Sequence, residues 1–482
     1  MPGLKNNLLY SILLTTSTYI FNLLVFPYIS RVFGPETMGV IGMATNFANY
    51  SSTVAMLGVT IVGIREIAYC GDDRQRRSEV FSSLVKFISV TTFSVILLYF
   101  LCLVSFERLW SQKELYIIGA MTVFFTSYLV EWLYRGIENF KYITLRSIII
   151  KSIYVVSVFV FVKDSDDYIL YFAMTSAVVV VNALVNIVHS RKYVDFSFRK
   201  GHVSEYAKSA SQLGVYTLLV NVFTTFNVVF LGFVNTDEQA GYYYVATLVF
   251  NIIMALLTAY SNVMMPRLSS LLSEDRTEEF DEKVGQSFNL VFMFSFPLIA
   301  GCVILAPQLI SILAGDSYDG AVLPMRLIMP LILLVGLAQI WVLQVLVPLK
   351  EDKVITWAAF FAAVATILAD FILVPRFGAI GSAIVLVVAE VVNDSISLIY
   401  ALRKGYISFP LKRMFVNLFW SIPYVPLCYL AVSFHLNSIW TLLLAFMMCL
   451  AYFVVCNVWI IKDESVIRIF NSFLRNPQFL SK

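Results

Sequence analysis

Charged residues are few in this chain: Asp, Glu, Lys and Arg together make up 13% of its 482 residues. A soluble protein of ordinary composition carries about twice that share. The six cysteines, Cys70, Cys102, Cys302, Cys428, Cys449 and Cys456, are scattered through apolar stretches and form no C-x-x-C pair. That spacing gives neither a disulfide framework nor a zinc site, so buried free thiols are expected. The three histidines, His189, His202 and His435, stand alone, and no metal centre is expected. Residues 1–10 lack a charged start and a small-residue cleavage site, so the apolar run from Leu8 reads as a retained span. A net charge of +3 is small, and no nucleic-acid partner is expected.

What the chain has in excess is hydrocarbon. It is 59% hydrophobic, with a mean hydropathy of +0.81. Apolar runs of about 20 residues recur from end to end, each long enough to cross a bilayer as a helix. About fourteen can be placed, numbered in chain order: 8–31, 39–64, 80–106, 115–135, 143–162, 168–189, 210–234, 240–265, 285–314, 323–349, 354–374, 379–402, 412–434 and 438–461. No alternating pattern suggests a barrel, so the fold class is all-α and polytopic.

The loops set the orientation. With the N-terminus inside, every basic residue falls on the cytoplasmic side except Arg31, Arg108, Lys113, Lys163, Arg326 and Arg376, so both termini are expected in the cytoplasm. The loops of the other side are short (VKDSDDY, NTDEQ, AGDSYDG, FHLNS) and leave no room for an external catalytic domain.

A weak internal repeat organises the whole. Shifted by about 202 positions, Glu36 meets Glu238, Gly39 meets Gly241, and Ala44 meets Ala246. Thr45, Asn49 and Arg65 likewise meet Thr247, Asn251 and Arg267. The turns GPETMG and TDEQAG sit between apolar runs in both copies. Six spans separate the copies, so the repeat is parallel, as in several secondary transporters. The expected organisation is a six-helix lobe over 1–190, a cytoplasmic linker over 191–209, a second six-helix lobe over 210–402, and two further helices with a tail over 403–482.

Ionisable and amide side chains inside the spans are the candidate functional groups, because lipid penalises them. Arg31, Lys86 and Lys151 are candidate cations of a substrate cavity. Each has an ordinary alternative: a helix-end charge for Arg31, and snorkelling to the interface for the two lysines. Arg65 and Arg267, matched by the repeat, sit at the cytoplasmic mouth and read more simply as positive-inside anchors. Glu131 and Arg135 read as a salt bridge one helical turn long. Asn22, Asn46, Asn49, Asn221, Asn227 and Asn251 are amides able to meet sugar hydroxyls or to bond neighbouring helices. Asp370, Glu390 and Asp394 are candidate ion-coupling acids. Glu390 and Asp394 lie one turn apart, and two carboxylates so close in low dielectric do not both stay ionised.

Several phrases, in order, carry a family resemblance: ISRVFGPETMGVIGMA at 29–44, EWLYRGIENFKYITLRSIIIK at 131–151 and ILAGDSYDGAVLPMRLIMPLI at 312–332. LVPLKEDK at 346–353 and LVPRFGAIGSAIVLVVAE at 373–390 extend the set. With the 6+6+2 plan, the chain resembles the polysaccharide transporter branch of the multidrug/oligosaccharidyl-lipid/polysaccharide exporter superfamily, and within it the O-antigen-type flippases. The resemblance implies a two-lobed, non-enzymatic carrier in the bacterial inner membrane, working by alternating access. The implied substrate is an undecaprenyl-diphosphate-linked oligosaccharide. Membrane lipids and polysaccharide polymerase machinery are the implied partners, with no cofactor beyond a coupling H+ or Na+. A multidrug or small-cation antiporter on the same fold is the alternative, followed by a membrane glycan polymerase or ligase. A cation carrier favours an acidic cavity, whereas here basic residues accompany the acids.

Overall fold

The structure is a computed structural model that describes residues 4–196 and 203–457. All regular structure among these residues is helical. Eleven helices are long and apolar enough to cross a membrane, and a twelfth span is a pair, Asp316–Ile328 and Leu331–Leu346, bent by 46°.

Two helices are far longer than a bilayer requires. Leu4–Met56 has 53 residues and Asp352–Arg403 has 52, whereas a helix needs only about 20 to cross ~30 Å of hydrocarbon. Each is divided by a glycine with non-helical geometry: Gly34 at φ 71°, ψ 174°, and Gly378 at φ 53°, ψ −127°. Only glycine adopts such angles without strain. Pro35 follows directly after Gly34 and biases that position away from the helical region. The chain reverses at both points. In the first helix, Tyr10 and Tyr28 bond residues 144 and 162 in parallel order, while residues 55 and 47 meet 91 and 99 in antiparallel order. In the other, a Cβ on Gly381 would lie 2.5 Å from the Leu373 carbonyl oxygen, so the second leg folds back on the first. The predicted loops at 32–38 and 375–378 are thus single-residue breaks.

Elsewhere the apolar runs are cut where hydropathy gives no sign. The predicted span 39–64 is broken at Leu57 and Gly58, both with positive φ, and resumes as Val59–Tyr69. The predicted span 285–314 stops at Ile304, and Ala306–Leu313 is a separate short helix with Pro307 in its first turn. Span seven carries a π-turn at Val222–Phe226 between Val203–Asn221 and Asn227–Val234. Of the predicted linker 191–209, residues 197–202 lie outside the described residues, and 203–209 begin a helix. The predicted tail beyond 457, with the end of the last predicted span, also lies outside them.

The hydrophobic cores say how the lobes are joined. The largest draws on both lobes, uniting Phe26, Ile29, Phe33 and Tyr116 with Tyr243, Val249, Tyr318 and Leu386. At the other end of the bundle the cores separate. One lobe has its own around Ile67, Leu84, Trp132 and Leu133, joined by Ala210. The second lobe gathers Leu268, Phe288, Phe292, Trp341 and Leu346. Away from the fused end the cores separate, and the space between them is the candidate cleft; the lobes still touch there through span seven, where Ala210 joins the first lobe's core and Gly214 packs on the Leu57 backbone. The last two helices, Leu411–Ser433 and Ser438–Val455, pack on Leu305 through Cys428, Ala431 and Ala445. All six cysteines are free.

Candidate functional site

The fused end is built by the repeat itself. Gly39 and Gly241 meet backbone to backbone: a Cβ on Gly39 would lie 1.8 Å from the Asp237 carbonyl oxygen, and one on Gly241 would lie 1.9 Å from that of Pro35. Polar contacts frame this seam. Arg108 pairs with Asp237 at 2.8 Å and donates to the Asn235 carbonyl at 3.2 Å. Tyr318 donates to the Ser30 carbonyl at 3.2 Å.

Arg31, expected as a cavity cation, belongs to this closed end. It is exposed, and its guanidinium donates to the carbonyls of Pro27, Ser311 and Ile312 at 2.6, 3.0 and 2.5 Å. The last two are free carbonyls at the C-terminal end of Ala306–Leu313, where a cation is favoured. Arg31 therefore bridges the lobes. Arg108 and Asp237 escaped sequence reasoning because 129 residues separate them and each looks like an ordinary loop charge.

The Arg108–Asp237 pair gives a modest expected energy. Both side chains are about one-third exposed, so solvent screens the pair. A double-mutant cycle with Arg108→Ala and Asp237→Ala, read as thermal stability in detergent, should give a coupling of about 0.5–1 kcal/mol. A coupling near zero would remove the pair from the closing contacts.

Toward the cleft the amides divide into two kinds. Asn22, Asn49 and Asn251 are exposed on the inner helices of the lobes. An amide facing acyl chains is costly, so exposure at these positions marks a polar, water-accessible surface. Asn46 and Asn221 are half-buried and spend their NH2 groups on the Gly42 and Thr217 carbonyls of their own helices. Asn227 is fully buried inside the second lobe, away from the cleft surface.

The basic candidates are also sorted. Arg65 pairs with the adjacent Glu66 at 3.0 Å, and both Arg65 and Arg267 are exposed. Lys86 is half-buried on Arg74–Ser105. Lys151 donates to the Thr18 hydroxyl at 2.7 Å, tying span five to span one. The predicted Glu131–Arg135 pair is present at 3.4 Å, but Glu131 holds Arg146 more closely, at 2.7 Å. Arg146 is 7% exposed. The sequence places it on the cytoplasmic side, within the predicted span 143–162, and the structure turns it inward against Glu131.

The acids form the most demanding group. Asp370 and Asp394 are each 1% exposed, and Glu390 is half-buried. Neither carboxylate oxygen of Asp370 has a hydrogen-bond partner. Asp394 accepts from the Asn393 amide at 3.2 Å with Oδ1, and its Oδ2 is unpartnered. Nearby, the Asn227 amide donates to the Tyr243 hydroxyl at 3.1 Å and the Ser382 carbonyl at 3.0 Å. Its Oδ1 and the Ser382 hydroxyl are unpartnered. Glu390 lies one helical turn before Asp394 on the same helix. The second lobe thus buries a string of oxygen atoms that lack donors. Unsatisfied polar groups of this kind are rare and costly. Among the described residues, no three His, Cys, Asp or Glu side chains converge as a metal site. The donor set is mixed carboxylate, amide and hydroxyl.

Comparisons with known proteins agree on the fold. The structure superposes on the "Lipid II flippase MurJ, inward closed conformation" with a TM-score of 0.76 at 16% identity, covering 94% of this chain and 99% of that one. An inward-facing multidrug resistance MATE family transporter of the MOP superfamily matches at TM-score 0.61 and 14% identity, covering 80% and 94%. A "Putative O-antigen transporter" of Escherichia coli (strain K12) is 26% identical over 83% of this chain and 96% of its own length. One of Shigella dysenteriae is 24% identical over 80% and 97%. The polysaccharide biosynthesis protein family matches residues 4–272, more than half of the chain, and this two-lobed membrane protein belongs to that family.

Proposed function

We propose that the chain is a flippase that moves a polyprenyl-diphosphate-linked oligosaccharide, such as an O-antigen repeat unit, from the inner to the outer leaflet of the bacterial inner membrane. One observation carries this reading: Asn22, Asn49 and Asn251 stand exposed on the inner helices of the two lobes, next to the core that the lobes share. The excess of basic residues in the loops opposite the seam supports a cytoplasmic placement of that end by the positive-inside rule. Both termini then lie in the cytoplasm, on the side where the substrate is made. Amides suit sugar hydroxyls, while Lys86, Arg65 and Arg267 supply positive charge for a diphosphate entering from the mouth. The relatives named as O-antigen transporters support the substrate class.

Nothing in this arrangement calls for catalysis; the work is binding and rocking. The buried oxygens around Asp370, Glu390 and Asp394 supply the coupling element, taking up H+ or Na+ from one side and releasing it to the other. Carbonyl and carboxylate oxygens are the ligands a hard monovalent cation takes, and an unpaired carboxylate is where a proton binds. Polysaccharide polymerase machinery would receive the product. The fold is shared with a multidrug transporter, but an organic cation calls for an acidic cleft, and here the acids lie within the second lobe.

The test is flipping of fluorescent polyprenyl-diphosphate oligosaccharide in proteoliposomes, read by lectin access. Asn49→Leu with Asn251→Leu should lower the rate by about tenfold or more, since each change removes hydrogen bonds worth about 1 kcal/mol. Wild-type rates in the double variant would overturn the cleft assignment.

A further inference from the structure

A cavity of about 650 Å³ lies on the flank of the seam between spans two, three, seven and eleven. Six of its walls are phenylalanines: Phe47 and Phe106 from the first lobe, and Phe226, Phe230, Phe233 and Phe371 from the second. The rings reach across the seam, with Phe106 and Phe233 5.4 Å apart between centroids. One wall residue is charged, Asp370, and its carboxylate oxygens are covered, so the surface offered is hydrocarbon. The rim opens on the outside of the bundle, where Phe106 and Ile367 are exposed and Phe371 is 68% exposed.

We propose that this cavity is a binding site for one acyl chain of a bilayer phospholipid, held by both lobes at once. Three occupants are excluded by chemistry. Water needs two or more polar partners, and this wall supplies none. A sugar or a diphosphate would be desolvated without any donor. An empty cavity would forfeit the dispersion contacts of six aromatic rings. Through the rim the cavity is continuous with the lipid-exposed belt, so the medium that enters is the acyl chain itself. Because the walls come from both lobes, parting the fused end pulls them away from the chain. The bound chain therefore favours the closed-end state. It also seals Asp370 from the lipid side, leaving the interior of the second lobe as the route to the acid.

Photolabelling tests this on the full chain in nanodiscs of phosphatidylethanolamine carrying a diazirine in one acyl chain. Adducts are expected on 102–109, 226–233 and 367–371. Cys102→Trp fills the cavity from one lobe and Ile367→Trp from the other. Each should lower those adducts by about tenfold, the effect of ~1.4 kcal/mol of lost chain binding. Adducts on the lipid-exposed face around Phe415 and Phe419 should stay unchanged. Seam labelling that both tryptophan variants leave intact would overturn the site. Displacement of the seam label by added polyprenyl phosphate, at a concentration that spares the Phe415–Phe419 adducts, would assign the cavity to an isoprenoid chain and overturn the phospholipid assignment.

Discussion

Glu390→Gln combined with Asp394→Asn will abolish ion-driven transport without lowering the stability of the protein. Both acids sit on the second leg of Asp352–Arg403, one helical turn apart. Asp394 is buried with one oxygen unpartnered. A structural carboxylate is held by donors, and its loss costs about 1–3 kcal/mol. Asp394 has a single donor, the Asn393 amide, so its neutral isostere removes a burial penalty and leaves the contacts in place. The same reasoning applies to Asp370→Asn, where both oxygens are unpartnered. The informative result is therefore a split: melting temperature held or raised, with flipping reduced to the rate of protein-free vesicles. Ion binding by calorimetry should be lost in parallel. Unchanged flipping in the double variant, or a lowered melting temperature with flipping retained, would sink the coupling role and return these residues to the fold.

Much of the architecture was legible because lipid makes its demands on composition. Span length, loop charge and the repeat of Gly39 and Asn49 at Gly241 and Asn251 all register in a linear reading, and the all-helical two-lobed fold follows from them. The breaks inside spans did not register. Leu57, Leu305 and the π-turn at Val222–Phe226 interrupt runs whose hydropathy continues unbroken. Their causes are local backbone geometry and packing, such as Gly214 set against the Leu57 backbone.

Side-chain roles were legible only where burial alone decides them. The depth of Asp370 and Asp394 could be inferred from their place in a span, but the direction of an amide could not. Asn46 and Asn221 turn back on their own helices, while Asn49 and Asn251 do not. Arg31 was legible as a charge at a helix end, but the carbonyls it caps were not, because they lie 280 residues away. Position along a helix gives depth, whereas facing depends on the neighbouring helix.

The repeat also makes a demand on the fused end that substitution can expose. At Gly39 and Gly241 the two lobes touch through backbone atoms, and neither side has a flexible group to yield. A methyl at either position would sit under 2 Å from a carbonyl oxygen, far inside van der Waals contact. The closed arrangement is thus closed to any residue with a Cβ, so Gly39→Ala or Gly241→Ala must part the lobes. Parting them stretches Arg108 from Asp237 and Tyr318 from Ser30. Flipping should then fall to background, because a carrier whose gate at the seam does not shut lacks one of its two states. A cysteine replacing buried Ser30, in a background without the native cysteines, should become reactive to a membrane-impermeant maleimide added outside. Two controls define the effect. Gly42→Ala meets only the Tyr244 side chain, at 3.0 Å, and should shift transport mildly. Gly301→Ala meets nothing within 4 Å inside Thr277–Ile304 and should stabilise that helix by up to about 1 kcal/mol. If Gly39→Ala left both flipping and Ser30→Cys reactivity at wild-type levels, the paired glycines would not be the contact that closes the outer end.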